Sequence, residues 1–537
     1  MKINYKSSYF WQVVAAVGLL FIISACTKTK PDNRPNIVFI MSDDHGYQAI
    51  SAYNDRLIQT PNIDRIANEG MLFTNASVTN SLCAPSRAVI LTGKHSHLNG
   101  KIDNRMPFDT TNVTFPQLLQ KAGYQTAMFG KLHFGNNPKG FDEFKILPGQ
   151  GDYYNPDFIT STGDTTVKGY VTDIITDFTL DWMEKRRDPK KPFLLMFLQK
   201  APHRAWLPAK RHYTEFTKKT FPLPETLFDD FETRTTAPRT ANMGIFKKME
   251  LQYDNKLTAK VAEELKVGGK YEDDPLNRMT AVQKASWDSI YGPISEKFKI
   301  EYPTMSDSTL TVWKYQRYMQ DYLATIAAVD ENVGRLLDYL DKNDLTKNTV
   351  VVYTSDQGFY LGEHGWFDKR FMYNESFKTP LLVRWPNVVT PKTTEEEMVQ
   401  NLDFAQTFLE IAGVVPPKDM QGKSLIPLLK GEKEKWDRDA LYYHYYEYPA
   451  IHSVKRHYGI ATKDYKLIHF YYDVDEWELY DRKNDVHELH NVYNDPKYAD
   501  VVREMKNKLI EIRKKYGDSD ELANHYIQIY KDKGWIK

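Results

Sequence analysis

Cysteine is almost missing from this chain: among its 537 residues only Cys26 and Cys83 carry a thiol. No disulfide framework can hold such a protein together. Net charge is missing as well. Lys+Arg and Asp+Glu both count 71, whereas a protein that tracks a long polyanion carries a basic excess. This excludes a nucleic-acid partner and leaves any anionic ligand as a short piece held in a pocket. Long apolar runs are missing after Ile23, so no later segment is suited to cross a bilayer. What remains, 41% hydrophobic and 26% charged residues, is ordinary for a globular protein. The length suits two domains, or one large domain with a smaller partner. Aromatics at 13% fit a large core and also a carbohydrate-binding surface.

The first residues are informative. Lys2 and Lys6 precede an apolar run from Phe10 to Ile23, followed by Ser24-Ala25-Cys26. A basic start, an apolar stretch too short to span comfortably and small residues before a cut describe an export signal over 1–25. Ile23-Ser24-Ala25-Cys26 resembles a bacterial lipobox. That implies a lipid on Cys26, a membrane anchor, a polar linker over 26–34 and a place in the cell envelope. No acidic run follows Cys26, which favours the periplasmic face. With Cys26 taken, Cys83 has no internal partner and is either inert in the core or kept for chemistry.

Between 35 and 415, short apolar runs alternate with amphipathic stretches. The runs at 36–41, 125–129, 193–198, 349–354 and 380–384 are continuous, as strands covered on both faces are. Helical patterns cover 60–69, 114–122 and 313–340. This order predicts an α/β fold with a large, mostly parallel sheet flanked by helices. Residues from about 213 to 308 break the rhythm and read as an insertion over or beside the site. From 416 to 537, Tyr-rich runs at 441–446, 457–462, 465–472 and 478–480 predict a smaller antiparallel sheet, closed by a helix over 495–516.

Polar residues follow the strands at one end. Asp43 and Asp44 follow the first, Lys131 and His133 the second, His203 the third, Asp356 and Gln357 the fourth. Strand ends in a parallel sheet share an edge, and ligands bind there, so these residues converge. Asp43, Asp44, Asp356 and Gln357 offer only hard oxygen donors, which suits calcium, with magnesium the alternative. Cys83 stands just before a helix signal, Pro85 opening it and Gly93 closing it. That position favours negative charge, with Arg87 one turn on.

Cys83-Ala-Pro-Ser-Arg87 with Leu91-Thr-Gly93 resembles the signature of the formylglycine-dependent sulfatases, of the alkaline phosphatase superfamily. The resemblance runs through Arg34 to Asp44, Gly130-Lys-Leu-His133, Ser355-Asp-Gln-Gly358, Gly362-Glu-His-Gly365 with Lys369, and Glu478-Leu-Tyr-Asp481 with Glu488. It implies oxidation of Cys83 to formylglycine by a maturation enzyme. It also implies that position 83 sits on the metal, and that Arg87, Lys131 and Lys369 orient the sulfate. His133 would handle the nucleophile's proton and His203 the leaving group. A hydrated aldehyde suits sulfate esters because one hydroxyl attacks sulfur and the other expels sulfate, an exit that serine lacks. Gln357 departs from the Asn or His of many relatives but still presents a carbonyl oxygen. His45, His95, His97 and His364 line the site or support it.

Specificity is read from Asp368 and Arg370, which flank Lys369 and could bracket sugar hydroxyls, and from His457. Gly365-Trp-Phe-Asp-Lys-Arg370 and Gln199-Lys-Ala-Pro-His-Arg204 resemble sulfatases that remove the 6-O-sulfate of N-acetylglucosamine. The implied activity is exo-removal of that sulfate from heparin, heparan or related sulfated saccharides. An N-acetylgalactosamine-6-sulfatase or an iduronate-2-sulfatase is the near alternative. A formylglycine-dependent phosphonate or phosphodiester hydrolase and a non-catalytic glycan-binding lipoprotein are the distant ones.

Overall fold

The computed structural model describes residues 32–269 and 274–536. The signal segment expected over 1–25 and the lipid attachment at Cys26 lie outside the described residues. Among the described residues no helix is long and apolar enough to cross a membrane.

Five parallel strands form the middle of a ten-stranded sheet. They are β1 (Asn36–Ser42), β2 (Gln125–Lys131), β3 (Glu143–Leu147), β4 (Phe193–Leu198) and β5 (Thr349–Ser355). Their order across the sheet is β5-β1-β4-β2-β3. One strand on each flank runs the other way and the rest share one direction, so the sheet is mixed but mostly parallel, as expected. Leu381–Arg384 pairs antiparallel with β5, and Asp157–Thr160 antiparallel with β3. The loop from Leu147 to Asp157 is too short for a crossover helix, and parallel pairing needs one.

β1 explains why its apolar run is continuous. Ile37, Phe39 and Met41 face a hydrophobic layer with Phe404 and Phe408, while Val38 and Ile40 face another with Val329, Val333 and Leu336. All five are at most 1% exposed, and each such burial is worth about 1.5–3 kcal/mol. α2 (Asp307–Lys342) supplies the second layer. It starts earlier than the pattern at Trp313 suggests because Ser306 Oγ accepts from Thr309 N–H at 3.2 Å, a helix cap.

Within 213–308, Tyr213, Trp287 and Tyr291 join the same layer, the last two stacked with ring centres 3.8 Å apart. Tyr253, Asp274 and Arg278 form one wall of a cleft whose other wall holds Lys200 and His203. Four antiparallel strands, Leu441–Tyr445, His457–Ala461, Tyr465–Phe470 and Glu476–Asp481, make the second sheet. α3 (Ala499–Tyr516) covers it through Met505, Leu509 and Ile512. Gly517 at φ 70° ends α3, and a further helix, Asp520–Asp532, packs Tyr526 and Tyr530 against Ile102 and Tyr446.

Candidate active site

The ends of the central strands meet along one edge. Ser42 and Ser355 are register partners, so the residues after them emerge side by side. Asp44 N–H donates to Asp356 Oδ1 at 3.1 Å, with Asp44 at φ 66°. Oxygens of Asp43, Asp44 and Asp356 lie within 4.8 Å of one another, and all three side chains are buried.

Cations surround these carboxylates. Arg87, on α1 (Cys83–Thr92), donates from Nε and Nη2 to Asp356 Oδ2 at 3.0 and 2.9 Å and stands 3.3 Å from Asp43. Lys131, the last residue of β2, pairs with Asp43 and donates to Gln150 Oε1. Lys369 donates to Asp44 at 2.8 Å. Burial opposes the charge on Lys369, but Asp368 and Asp44 override it and hold the ammonium well above its ordinary range. Burial likewise opposes the charge on Asp43, and Lys131, His203 and Arg87 hold that carboxyl well below its usual range. Burial and then the neighbouring carboxylates push Asp44 up to about 6 and Asp356 up to about 8.

Raised acids beside an ionised one mean that positive charge is short. Asp43 Oδ1 and Gln357 Oε1 are buried without a hydrogen-bond partner. Such oxygen donors with unused lone pairs fit a hard divalent cation, held by Asp43, Asp44, Asp356 and Gln357. Cys83 Sγ lies within 4.8 Å of Asp43 and His203 donors. Cys83 opens α1 after the extended Leu82 and has no exposed surface. Burial pushes its thiol well above the usual range, so the unmodified thiol is a poor nucleophile.

Two histidines lie beside this cluster. His203 Nδ1 is 2.6 Å from Arg204 O, leaving Nε2 facing Asp44 at 3.8 Å. His133 Nδ1 is buried without a partner. Burial, then Lys131, hold both rings well below the ordinary imidazole value.

Asp368 and Arg370 sit on either side of Lys369 in left-handed backbone, at φ 79° and 103°. Backbone of this kind costs energy and clusters at ligand sites. Arg370 Nη1 donates to Glu447 Oε1 at 3.1 Å, and its Nε is 3.5 Å from Asp368. His457 does not join them, which corrects its expected place in the sugar pocket. It has no exposed surface, its Nδ1 is 2.8 Å from Lys455 O, and it stacks among Phe371, Tyr443 and Tyr445. The imidazole beside Asp368 is His452, whose Nε2 is 3.0 Å from Asp368 Oδ2.

The remaining histidines are supports. His45 bonds Tyr353, His95 stacks on His97, and His364 lies between Asp229 and Glu375. Glu478 accepts from Tyr373 at 2.6 Å and Glu488 from Asn374 N–H at 2.8 Å, pinning the segment that follows Lys369. Gln150, Glu447 and His452 were not among the expected site residues. The glycines flanking Gln150 were the one available signal, since both take positive φ.

Oxygen donors for a hard cation, ammonium groups for an oxyanion and a reactive position at a helix start define a hydrolase of anionic esters. A sulfatase family model matches residues 35–414, and this chain belongs to the sulfatase family. A second model, N-sulphoglucosamine sulphohydrolase C-terminal, matches residues 362–515. The chain is 50% identical over 514 residues to an N-acetylglucosamine-6-O-sulfatase of Bacteroides thetaiotaomicron, covering 93% of this chain and 90% of that protein. It is 27% identical to the human N-acetylglucosamine-6-sulfatase, over 79% of this chain and 69% of that one. A solved structure in complex with its substrate D-glucosamine-2-N,6-O-disulfate superposes with a TM-score of 0.87 at 51% identity, covering 91% and 99% of the two chains. A phosphonate monoester hydrolase of Agrobacterium radiobacter shares the fold at 19% identity and TM-score 0.64 over 90% and 96% of the chains.

Proposed function

We propose that this sulfatase is exo-acting and removes the 6-O-sulfate from N-acetylglucosamine, or from its N-sulfated counterpart, in heparan-type or related sulfated fragments. The observation that carries the reading is the run Asp368-Lys369-Arg370. Lys369 reaches the reaction centre while its two neighbours and His452 form a polar wall beside it, so the distance from sulfur to the recognised hydroxyls is set by one short segment. The two relatives named above as 6-sulfatases and the disulfated ligand of the superposed structure support the same substrate class.

Asp43, Asp44, Asp356 and Gln357 would hold calcium, which when bound polarises the sulfate and its nucleophile. Formylglycine at position 83 would supply a hydroxyl to attack sulfur and a second to release sulfate. Arg87 fixes Asp356 and Asp43 in place. Lys131 and Lys369 neutralise charge on the sulfuryl oxygens. The anionic ester raises the proton affinity of His203, which then protonates the departing sugar oxygen, while His133 takes the proton from the nucleophile. The chain would carry a lipid at Cys26 and work at the periplasmic face.

The test is sulfate release from N-acetylglucosamine-6-sulfate by protein whose Cys83 oxidation has been established by peptide mass. N-acetylgalactosamine-6-sulfate, an iduronate-2-sulfate and a phosphonate monoester serve as comparisons. Preferential release from the first, abolished by Cys83→Ala, is expected. Equal or better turnover of a comparison compound overturns the substrate assignment.

A further inference from the structure

One residue that bonds the helix start next to Cys83 has no part in the reaction. Asn104 is part-exposed, and two bonds fix it. Its Oδ1 accepts from the N–H of Ala84 at 3.2 Å, immediately after Cys83. Its own N–H donates to Glu447 Oε2 at 2.8 Å, and Glu447 Oε1 holds Arg370 at 3.1 Å. Asn104 therefore touches the helix start that carries the nucleophile position and also the carboxylate that orients the sugar-facing arginine.

The orientation of its amide is settled by chemistry. Ala84 N–H lies in the first turn of α1, where backbone donors have no partner within the helix. It can only donate, so the amide oxygen must face it and the NH2 must face away. Among the described residues that Nδ2 has no hydrogen-bond partner, although Cys83 on one side and Glu447 on the other are buried. Two amide donors are thus left free on a residue bonded both to α1 and to Glu447, with no acceptor among the described residues.

We propose that Asn104 is a specificity-determining residue whose Nδ2 donates to a pyranose oxygen adjacent to the sulfated carbon. This rests on the 6-O-sulfate reading above and deepens it. The sulfate enters between Lys131 and Lys369, which puts the sulfated carbon beside position 83 and an adjacent ring or hydroxyl oxygen beside Asn104. Asn104 then joins reaction and recognition: shifting the sugar would break its bond, and shifting α1 would move its anchor.

The experiment compares wild type, Asn104→Ala and Asn104→Asp, each with the formylglycine content of position 83 measured. Expected for Asn104→Ala is a fall in kcat/KM on N-acetylglucosamine-6-sulfate of about tenfold, carried mostly by KM, as for loss of one uncharged hydrogen bond. Inhibition by free sulfate should stay within about twofold, since the sulfate contacts are untouched. Asn104→Asp keeps an oxygen for Ala84 N–H but loses both donors, so it should be impaired at least as much.

An Asn104→Asp enzyme as active as wild type would reduce Asn104 to a helix cap and overturn the proposal. So would sulfate inhibition that weakens in parallel with activity in Asn104→Ala, because the residue would then act at the reaction centre. Wild-type protein that turns over another sulfated sugar instead would sink the parent reading separately. The same variants would then be read on that sugar.

Discussion

Arg87 donates twice to one oxygen of Asp356, from Nε at 3.0 Å and Nη2 at 2.9 Å. Both groups are at most 2% exposed, so neither bond is shared with water. The pair ties α1, which carries Cys83, to the end of β5, which carries two of the oxygen donors.

Arg87→Met should therefore damage two things at once. It leaves buried carboxylates without their cation, costing about 3–5 kcal/mol of stability in metal-free protein. It also frees a candidate ligand, which lowers metal affinity about 10- to 100-fold. Thermal unfolding with and without calcium would measure both, and an unchanged calcium dependence would refute the second.

Chelation should abolish sulfate release, and calcium should restore it. Gln357→Ala should need about 10- to 100-fold more calcium for half-maximal activity. Wild type unaffected by exhaustive chelation would remove the cation from the account.

His452 and His457 give a contrasting pair. His452→Ala removes a buried partner of Asp368 and should raise KM for the sugar substrate about tenfold. His457→Phe replaces a stacked ring with a similar one and should leave kcat/KM within about threefold. Steady-state kinetics that reversed this order would return His457 to the pocket.

His364 sets a pH dependence of stability. Burial lowers its proton affinity, but Asp229 and Glu375 outweigh it and raise the pKa from 6.5 to about 9. The sign follows: its contribution is fully present below pH 6.5 and is lost as pH rises through 9. A shift of this size corresponds to about 3 kcal/mol. Denaturation between pH 6.5 and 9 should show the loss in wild type and a flatter profile in His364→Gln.

The sequence exposed those parts of the molecule whose physics is local. Continuous apolar runs marked strands buried on both faces, and residues such as Asp43, Lys131 and Asp356 stood at strand ends where a parallel sheet gathers them. The motif at Cys83 carried the family. The direction of the two reversed strands was hidden because it depends on how the connections before them close. His452 and Glu447 were hidden because they come from loops of the second sheet, and no spacing in the chain ties them to Asp368 or Arg370. His457 misled because a strand residue beside Tyr-rich neighbours reads the same whether it faces a pocket or fills an aromatic stack.

Ser42 and Ser355 lie side by side although 313 residues separate them. The cradle made by the residues that follow them is therefore complete only once β5 has joined β1: a chain lacking β5 keeps Cys83, Arg87 and Lys131 yet has only half of the oxygen set. Closing so long a loop is entropically costly, and tight cation binding would report that it has closed. A bound ion would thus mark a molecule whose topology is complete.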